Sequence, residues 1–195
     1  MTDYKEILDI LKRGGVILYP TDTVWGLGCD ATNEKAVARI FEIKRRSEAK
    51  SLVLLASDLD MVAMHVRQIP SIAIDLVEVN DAPMTIIYPG AQYLAPNAVA
   101  EDGSIGIRIP YVEEGATDGP AVFCRELVKR LRHPLVSTSA NISGEPTPQS
   151  FKDISQEIKD AVDYVVSPKM GNGSTGKASQ IIKLGLNGEV QIIRK

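Results

Sequence analysis

The chain has 195 residues, 44% hydrophobic and 24% charged, with a formal net charge of −3. These are ordinary globular values with length enough for a sizeable core, and the acidic balance excludes a generally basic nucleic-acid coat, so any anion site must be a local patch. Cys29 and Cys124 are far apart and form neither a disulfide framework nor a metal-spaced pair, the start MTDYKEIL lacks the charge and apolar pattern of a signal peptide, and no apolar run approaches the ~20 residues of a membrane span. The expectation is a soluble cytoplasmic protein with no membrane association.

In chain order, Asp3 with Glu6 gives a D-x-x-E capping signature, Ile7, Ile10 and Leu11 recur at helical spacing, and Gly14-Gly15 ends the helix. Val16–Tyr19 is a strand ended by Pro20, and Thr21 to Gly28 reads as a loop rich in hydroxyls and glycine. Asn33 caps a helix whose apolar stripe is Val37, Ile40, Phe41 and the stem of Lys44. Leu52–Leu55 is a strand, Asp58 caps another helical pattern, and Pro70 begins one more. Further strands are expected at Met84–Tyr88, Ile105–Ile109, Leu135–Ser139, Tyr164–Val166, Ser179–Lys183 and Val190–Ile193, with helices at Ala121–Leu131 and Ser155–Ala161. This interleaving predicts an α/β fold on a mixed twisted sheet, with residues 1–195 as one domain. Gly144–Gln149 and Gly171–Gly176 read as lips of a site rather than boundaries between domains.

Two distant stretches carry the chemistry. Lys44-Arg45-Arg46 with Lys50 places four cations in seven residues of an acidic chain. Such a cluster either complements a helix C-terminus or holds a polyphosphate. In an unbroken helix Lys44 and Arg46 point roughly 200° apart, so a shared site requires the backbone to leave helical geometry near Lys44. Ser137-Thr138-Ser139-Ala140-Asn141 puts Ser137, Ser139 and Asn141 on one strand face, where they either line a site or satisfy the next turn. Thr21 and Thr23 offer hydroxyls beside Gly26 and Gly28. In Ser104-Ile-Gly-Ile-Arg108, alternation sends the isoleucines to one face and leaves a hydroxyl, a gap and a guanidinium on the other.

Other constellations fail. Gly171–Lys177 fits G-x-x-x-x-G-K, yet Ala178 stands where the magnesium-ligating Ser or Thr belongs, and a strand rather than a helix follows. His65 and His133 have no partner at metal spacing, and neither cysteine sits in a redox motif.

In this order, the pieces resemble the YrdC-like family of threonylcarbamoyl-AMP synthases. The likeness runs from Gly15 through Tyr19-Pro-Thr-Asp-Thr-Val-Trp-Gly-Leu-Gly28, the K-x-R of Lys44/Arg46 with Lys50, and Gly106-Ile-Arg108-Ile-Pro110. It ends at Ser137–Gly144 and Ile193-Arg194. The resemblance implies a YrdC-like twisted mixed β-sheet flanked by helices, with a concave, positively charged cleft. It implies a nucleotidyltransferase that makes threonylcarbamoyl-adenylate and pyrophosphate from L-threonine, bicarbonate and ATP with Mg2+, for modification of tRNA, with tRNA or its modification proteins as further partners. Lys44 and Arg46 would be catalytic; Arg46, Lys50, Ser104, Asn141 and Arg194 would bind ATP. Thr23, Arg108, Ser139 and Ser179 would bind threonine, Arg108 facing its carboxylate. Departures from the family pattern are Leu55 in place of a histidine, Asn80-Asp-Ala-Pro83 in place of W-P-G-P, and Ala178-Ser179-Gln180 in place of P-S-T. Two rivals are an RNA-binding module using the same cleft without nucleotide turnover and an adenylate-forming enzyme for another amino acid.

Overall fold

Short apolar runs alternating with 3.6-periodic segments bury one face each, and here they do so in layers around a sheet. The computed structural model describes residues 4–46 and 52–195; Asp3 and Lys50 lie outside the described residues. Among the described residues nine strands form the sheet: β1 (Ile17–Tyr19), β2 (Gly26–Gly28), β3 (Val53–Leu55), β4 (Met84–Tyr88), β5 (Ile105–Arg108), β6 (Leu135–Ser139), β7 (Tyr164–Val165), β8 (Gln180–Leu184) and β9 (Val190–Arg194). Their order is β7-β1-β2-β6-β3-β5-β4-β8-β9. Parallel pairs (β1 with β7, β3 with β5, β4 with β8) mix with antiparallel ones, as the sequence predicts.

The helices follow their caps. In α1 (Tyr4–Lys12), Ile7 and Leu11 are buried, and Gly14 ends the element at φ 82, a conformation that favours glycine. Asn33 accepts from the Ala36 amide at 3.1 Å and opens α2 (Glu34–Ile43). Asp58 caps α3 (Leu59–His65) through the Met61 amide at 2.9 Å, and Pro70 precedes α4 (Ser71–Glu78). Next come α5 (Pro120–Leu131), which starts on a proline with φ preset for a first turn, and α6 (Gln156–Ala161), capped by Ser155. Tyr4 of α1 stacks on Phe123 of α5 with ring centroids 5.7 Å apart, joining the two helices.

One expectation needs correction. The loop predicted from Thr21 to Gly28 ends early, because Gly26–Gly28 form β2 between β1 and β6. Two glycines in three residues disguise the strand, since glycine carries no strand propensity. The packing explains one of them. A Cβ on Gly28 would lie 2.6 Å from the Tyr19 ring and 2.8 Å from the Val136 carbonyl oxygen. Tyr19 cannot yield, being fully buried with its hydroxyl donating to that same carbonyl at 3.2 Å. Gly28→Ala is therefore expected to destabilise the fold by about 1–3 kcal/mol, the usual cost of overpacking. Urea unfolding measures it; an unchanged midpoint would contradict the packing argument.

Candidate functional site

The topology gathers the C-terminal end of β6 at the centre of the sheet, with Gly26 opposite Ser139 on one side and Val53 opposite Ser137 on the other. Here a cavity of about 300 Å3 opens. Thr21, Thr23, Gly26, Ser137, Thr138, Ser139, Thr147 and Ser179 line it, together with Arg46, Arg108 and Arg194. Among the described residues three guanidinium groups and no carboxylate border this space. Six of the predicted residues therefore meet: Thr23, Arg46, Arg108, Ser139, Ser179 and Arg194.

The basic cluster reaches the cavity because α2 stops in time. Its last residue is Ile43, Lys44 is the C-cap, and Arg45 takes φ 49 in the left-handed region. The Arg45 amide donates to the Glu42 carbonyl at 3.0 Å, and the Arg46 amide to that of Phe41 at 2.9 Å, the paired bonds of a Schellman turn. Glycine normally holds that position, and a non-glycine there costs about 1–2 kcal/mol. The reversal frees Lys44 and Arg46 from opposite sides of a helix, so the geometric condition set by the sequence is met.

The two cations then part company. Arg46 lines the cavity, and burial lowers its pKa from the ordinary arginine range. Lys44 is itself buried behind the wall. Its ammonium donates to the carbonyl oxygens of Ser139 (2.5 Å) and Asn141 (2.7 Å), with the Asn141 side-chain oxygen at 3.5 Å. In return the Lys44 carbonyl accepts from the Ser143 amide at 2.9 Å. Burial first, and the Arg46 charge second, push the Lys44 pKa down to about 8. Lys44 thus splices the end of α2 to the turn after β6, joining the two stretches that the sequence singles out.

Arg108 is held at the end of β5 by a buried ion pair with Asp22, both residues at least 93% enclosed. Asp22 is a site residue that sequence reasoning missed; the only signal was a lone charge inside Thr21-Asp22-Thr23. Asp22 also accepts the Thr175 amide on its backbone carbonyl, while Thr23 accepts that of Gly176 and Thr21 accepts the Ser174 hydroxyl. These three bonds bind the segment that imitates a phosphate loop to the strand-end loop, with no helix behind it, in agreement with its rejection. Thr21 and Thr23 hydroxyls sit 2.9 Å apart, and Thr21 donates to the Val24 carbonyl at 2.7 Å, stiffening the loop.

Ser179 pairs its hydroxyl with buried Thr85 at 2.8 Å, and its carbonyl accepts from Arg194 Nε at 2.9 Å. Arg194 owes its direction to a β-bulge. Ile181 pairs with Arg194 but Ile182 with Ile192, so Ile193 is the extra residue. Without it Arg194 would share a face with Ile192; with it, Arg194 turns toward the cavity beside Ile181. Burial and then the Arg108 charge lower the Arg194 pKa, which registers the closeness of the two guanidiniums.

Three predicted residues do not line the cavity. Lys44 lies behind it. Asn141 uses its amide to donate to the carbonyls of Glu145 (2.7 Å) and Ile142 (3.1 Å), shaping the turn. Ser104 donates to Asp102 at 2.5 Å, and Asp102 also pairs with Lys183 of β8 at 2.7 Å. These contacts hold the Asp102 carboxyl far below the usual range, the Lys183 hydrogen bond being the main cause. Lys50 falls outside the described residues. Both cysteines are buried and burial raises their thiol pKa values well above ordinary, which suits packing rather than attack. A second hollow of about 320 Å3 lies on the far face of the sheet over Met84, Ile86, Tyr88, Ile107 and Ile109; its one arginine among the described residues, Arg125, shares the lining with Asp58 and Glu78, so it is less cationic than the first.

Comparison with known proteins agrees with the fold. The sequence matches the family described as Sua5/YciO/YrdC, telomere recombination, over residues 9–195. A threonylcarbamoyl-AMP synthase of Hahella chejuensis is 33% identical over 178 residues, 91% of each chain. One from Pseudomonas aeruginosa is 32% identical over 163 residues, 83% of each. Among solved structures, P. abyssi Sua5 complexed with L-threonine superposes with a TM-score of 0.80 at 25% identity, over 93% of this chain and 50% of that one. This chain thus spans about half of that longer protein. E. coli YciO, at 22% identity, shares the fold with a TM-score of 0.76 over 98% of this chain and 88% of its own. The chain belongs to the Sua5/YciO/YrdC family.

Proposed function

We propose that this protein is a threonylcarbamoyl-AMP synthase, a nucleotidyltransferase that joins L-threonine, bicarbonate and ATP into threonylcarbamoyl-adenylate and releases pyrophosphate. One observation carries the reading: a single cavity bordered by three arginines and a row of hydroxyls, in a chain one third identical to synthases of that name over most of its length. In this reading the product serves tRNA modification, and the protein works in the cytoplasm as one YrdC-like domain. Among the described residues no helix is long and apolar enough to cross a membrane.

The chemistry asks for positioning and charge neutralisation more than for a base. Threonine's amine takes up carbon dioxide from bicarbonate to become a carbamate. One carbamate oxygen then attacks the α-phosphorus, and the bond to the departing pyrophosphate breaks with its electron pair going to pyrophosphate. Arg46 and Arg194 neutralise the phosphates where charge builds. Arg108 takes the amino-acid carboxylate, with the Thr23, Ser139 and Ser179 hydroxyls around the rest. Lys44 and Asn141 hold the β6 turn in place, and the family resemblance alone adds Ser104 and Lys50 to the ATP-binding residues. Among the described residues no group of three or more His, Cys, Asp or Glu is placed to hold a metal ion. Magnesium, arriving with ATP as part of the substrate, would supply further neutralisation of phosphate charge beside Arg46 and Arg194.

The test is pyrophosphate release from ATP, magnesium and labelled bicarbonate with each amino acid in turn. Threonine-dependent release with labelled adenylate supports the reading. Release with a different amino acid would redirect the substrate assignment. No release with any, alongside tight salt-sensitive RNA binding, would favour a binding module instead.

A further inference from the structure

We infer that Asp22 is a specificity-determining residue: by neutralising Arg108 from behind, it reserves that end of the cavity for a zwitterionic amino acid and keeps phosphate out. The inference rests on the proposed function for the identity of the amino acid, but its charge logic does not. Arg46 and Arg194 line the cavity, and each is cationic at neutral pH. A third uncompensated guanidinium would make the whole space a polyanion receptor, and pyrophosphate or a second nucleotide would occupy it end to end. The Asp22–Arg108 pair cancels that third charge while leaving a hydrogen-bonding fork at the wall.

Three observations support a functional rather than a merely cohesive pair. First, the ion pair is not fully spent: Asp22 Oδ2 and Arg108 Nε are buried with no hydrogen-bond partner. Buried polar atoms in folded proteins are otherwise nearly always satisfied, so unspent capacity beside a cavity points to use. Second, the pair straddles a partition. Arg108 lines the arginine-bordered cavity, whereas Asp22 lines a neighbouring hollow of about 450 Å3 with Asp81, Glu113 and Asp118, to which no Lys, Arg or His among the described residues contributes. The dipole of the pair therefore runs along the direction in which the local charge changes sign. Third, Asp22 cannot drift, since its backbone is bonded to Thr175 at 2.9 Å and the preceding Pro20 carbonyl accepts the Cys124 thiol at 3.3 Å. A zwitterion presents a carboxylate to Arg108 and an ammonium to the field of Asp22. A phosphate presents only negative charge, and the pair gives it no net attraction.

Calorimetry on the full chain separates these effects, using inorganic phosphate and L-threonine as probes. Asp22→Asn keeps the shape and removes the charge. It is expected to bind phosphate about tenfold tighter and L-threonine about tenfold weaker, as one unshielded charge at short range implies. Adding Arg108→Gln should erase the gain in phosphate affinity, which mere loosening of the fold would not do. Asp22→Ser, which admits water beside Arg108, serves should the asparagine variant fail to fold. In the unaltered chain, millimolar phosphate should displace ATP but leave bound L-threonine in place. A folded Asp22 variant with unchanged phosphate affinity, or phosphate displacing L-threonine from the unaltered chain, would overturn the inference. Should threonine not bind at all while the phosphate gain appears and is erased as described, the charge role stands and the proposed substrate falls.

Discussion

Lys44→Met is expected to cut threonine-dependent pyrophosphate release about a hundredfold, because the wall that its ammonium holds in place shifts. The ammonium is the common donor to the Ser139 and Asn141 carbonyls. Methionine fills the same volume and satisfies neither. Stranding two buried acceptors costs about 1–3 kcal/mol each, so chemical unfolding should show a loss of about 2–6 kcal/mol with it. Lys44→Arg should not rescue activity, because a planar fork cannot converge on carbonyls arranged for a point-like ammonium. Titration adds a second signature. With its pKa near 8 in the folded chain against an ordinary 10.5, Lys44 loses its charge as pH climbs through 8, and turnover should decline there. Its contribution to stability moves the other way. Between about pH 8 and 10.5 the unfolded chain holds the extra proton, so folding gains as pH rises and that gain is lost as pH falls back through 8. Declining activity with undiminished stability above pH 8 is the expected pattern. A Lys44→Met variant that keeps the alkaline decline would assign it to another group.

Arg46→Ala is the second large effect. The side chain borders the cavity, and its backbone position is set by the reversal at Arg45 and the Arg46 amide bond to the Phe41 carbonyl. Removing one preorganised cation from a phosphoryl-transfer site costs about 10²–10³ in rate. We expect kcat/KM for ATP to fall by about that factor, the KM for threonine to change little, and near-ultraviolet circular dichroism to stay the same. A variant that retains full turnover would remove Arg46 from the phosphate side. An equal rise in both KM values would place it between the two substrates.

Secondary structure was readable wherever a local pattern decides it. Asn33 and Asp58 announced their helices because a side-chain oxygen next to a free amide needs nothing from the rest of the fold. Strands such as Met84–Tyr88 and Leu135–Ser139 were legible from apolar runs of the right length. Gly26–Gly28 was not, since what makes it a strand is β1 and β6 on either side and a tyrosine ring that forbids a side chain at Gly28.

The same division governs the site. Motif and spacing along the chain were sufficient to name the family, to bring forward Arg46, Arg108, Arg194 and the serines of β6, and to dismiss the imitation phosphate loop. Whether Lys44 faces a ligand or a carbonyl, which carboxylate shields Arg108, and which way Arg194 points depended on residues 95, 86 and 13 or more positions away. Charge and hydrogen bonding act across space within a few ångströms, so partners distant in sequence are invisible until the sheet assembles them. A one-residue bulge in β9 reverses a side chain without altering the strand pattern that predicts it. Residue chemistry was therefore written in the sequence, while the direction and pairing of each charge were decided only by the assembled sheet.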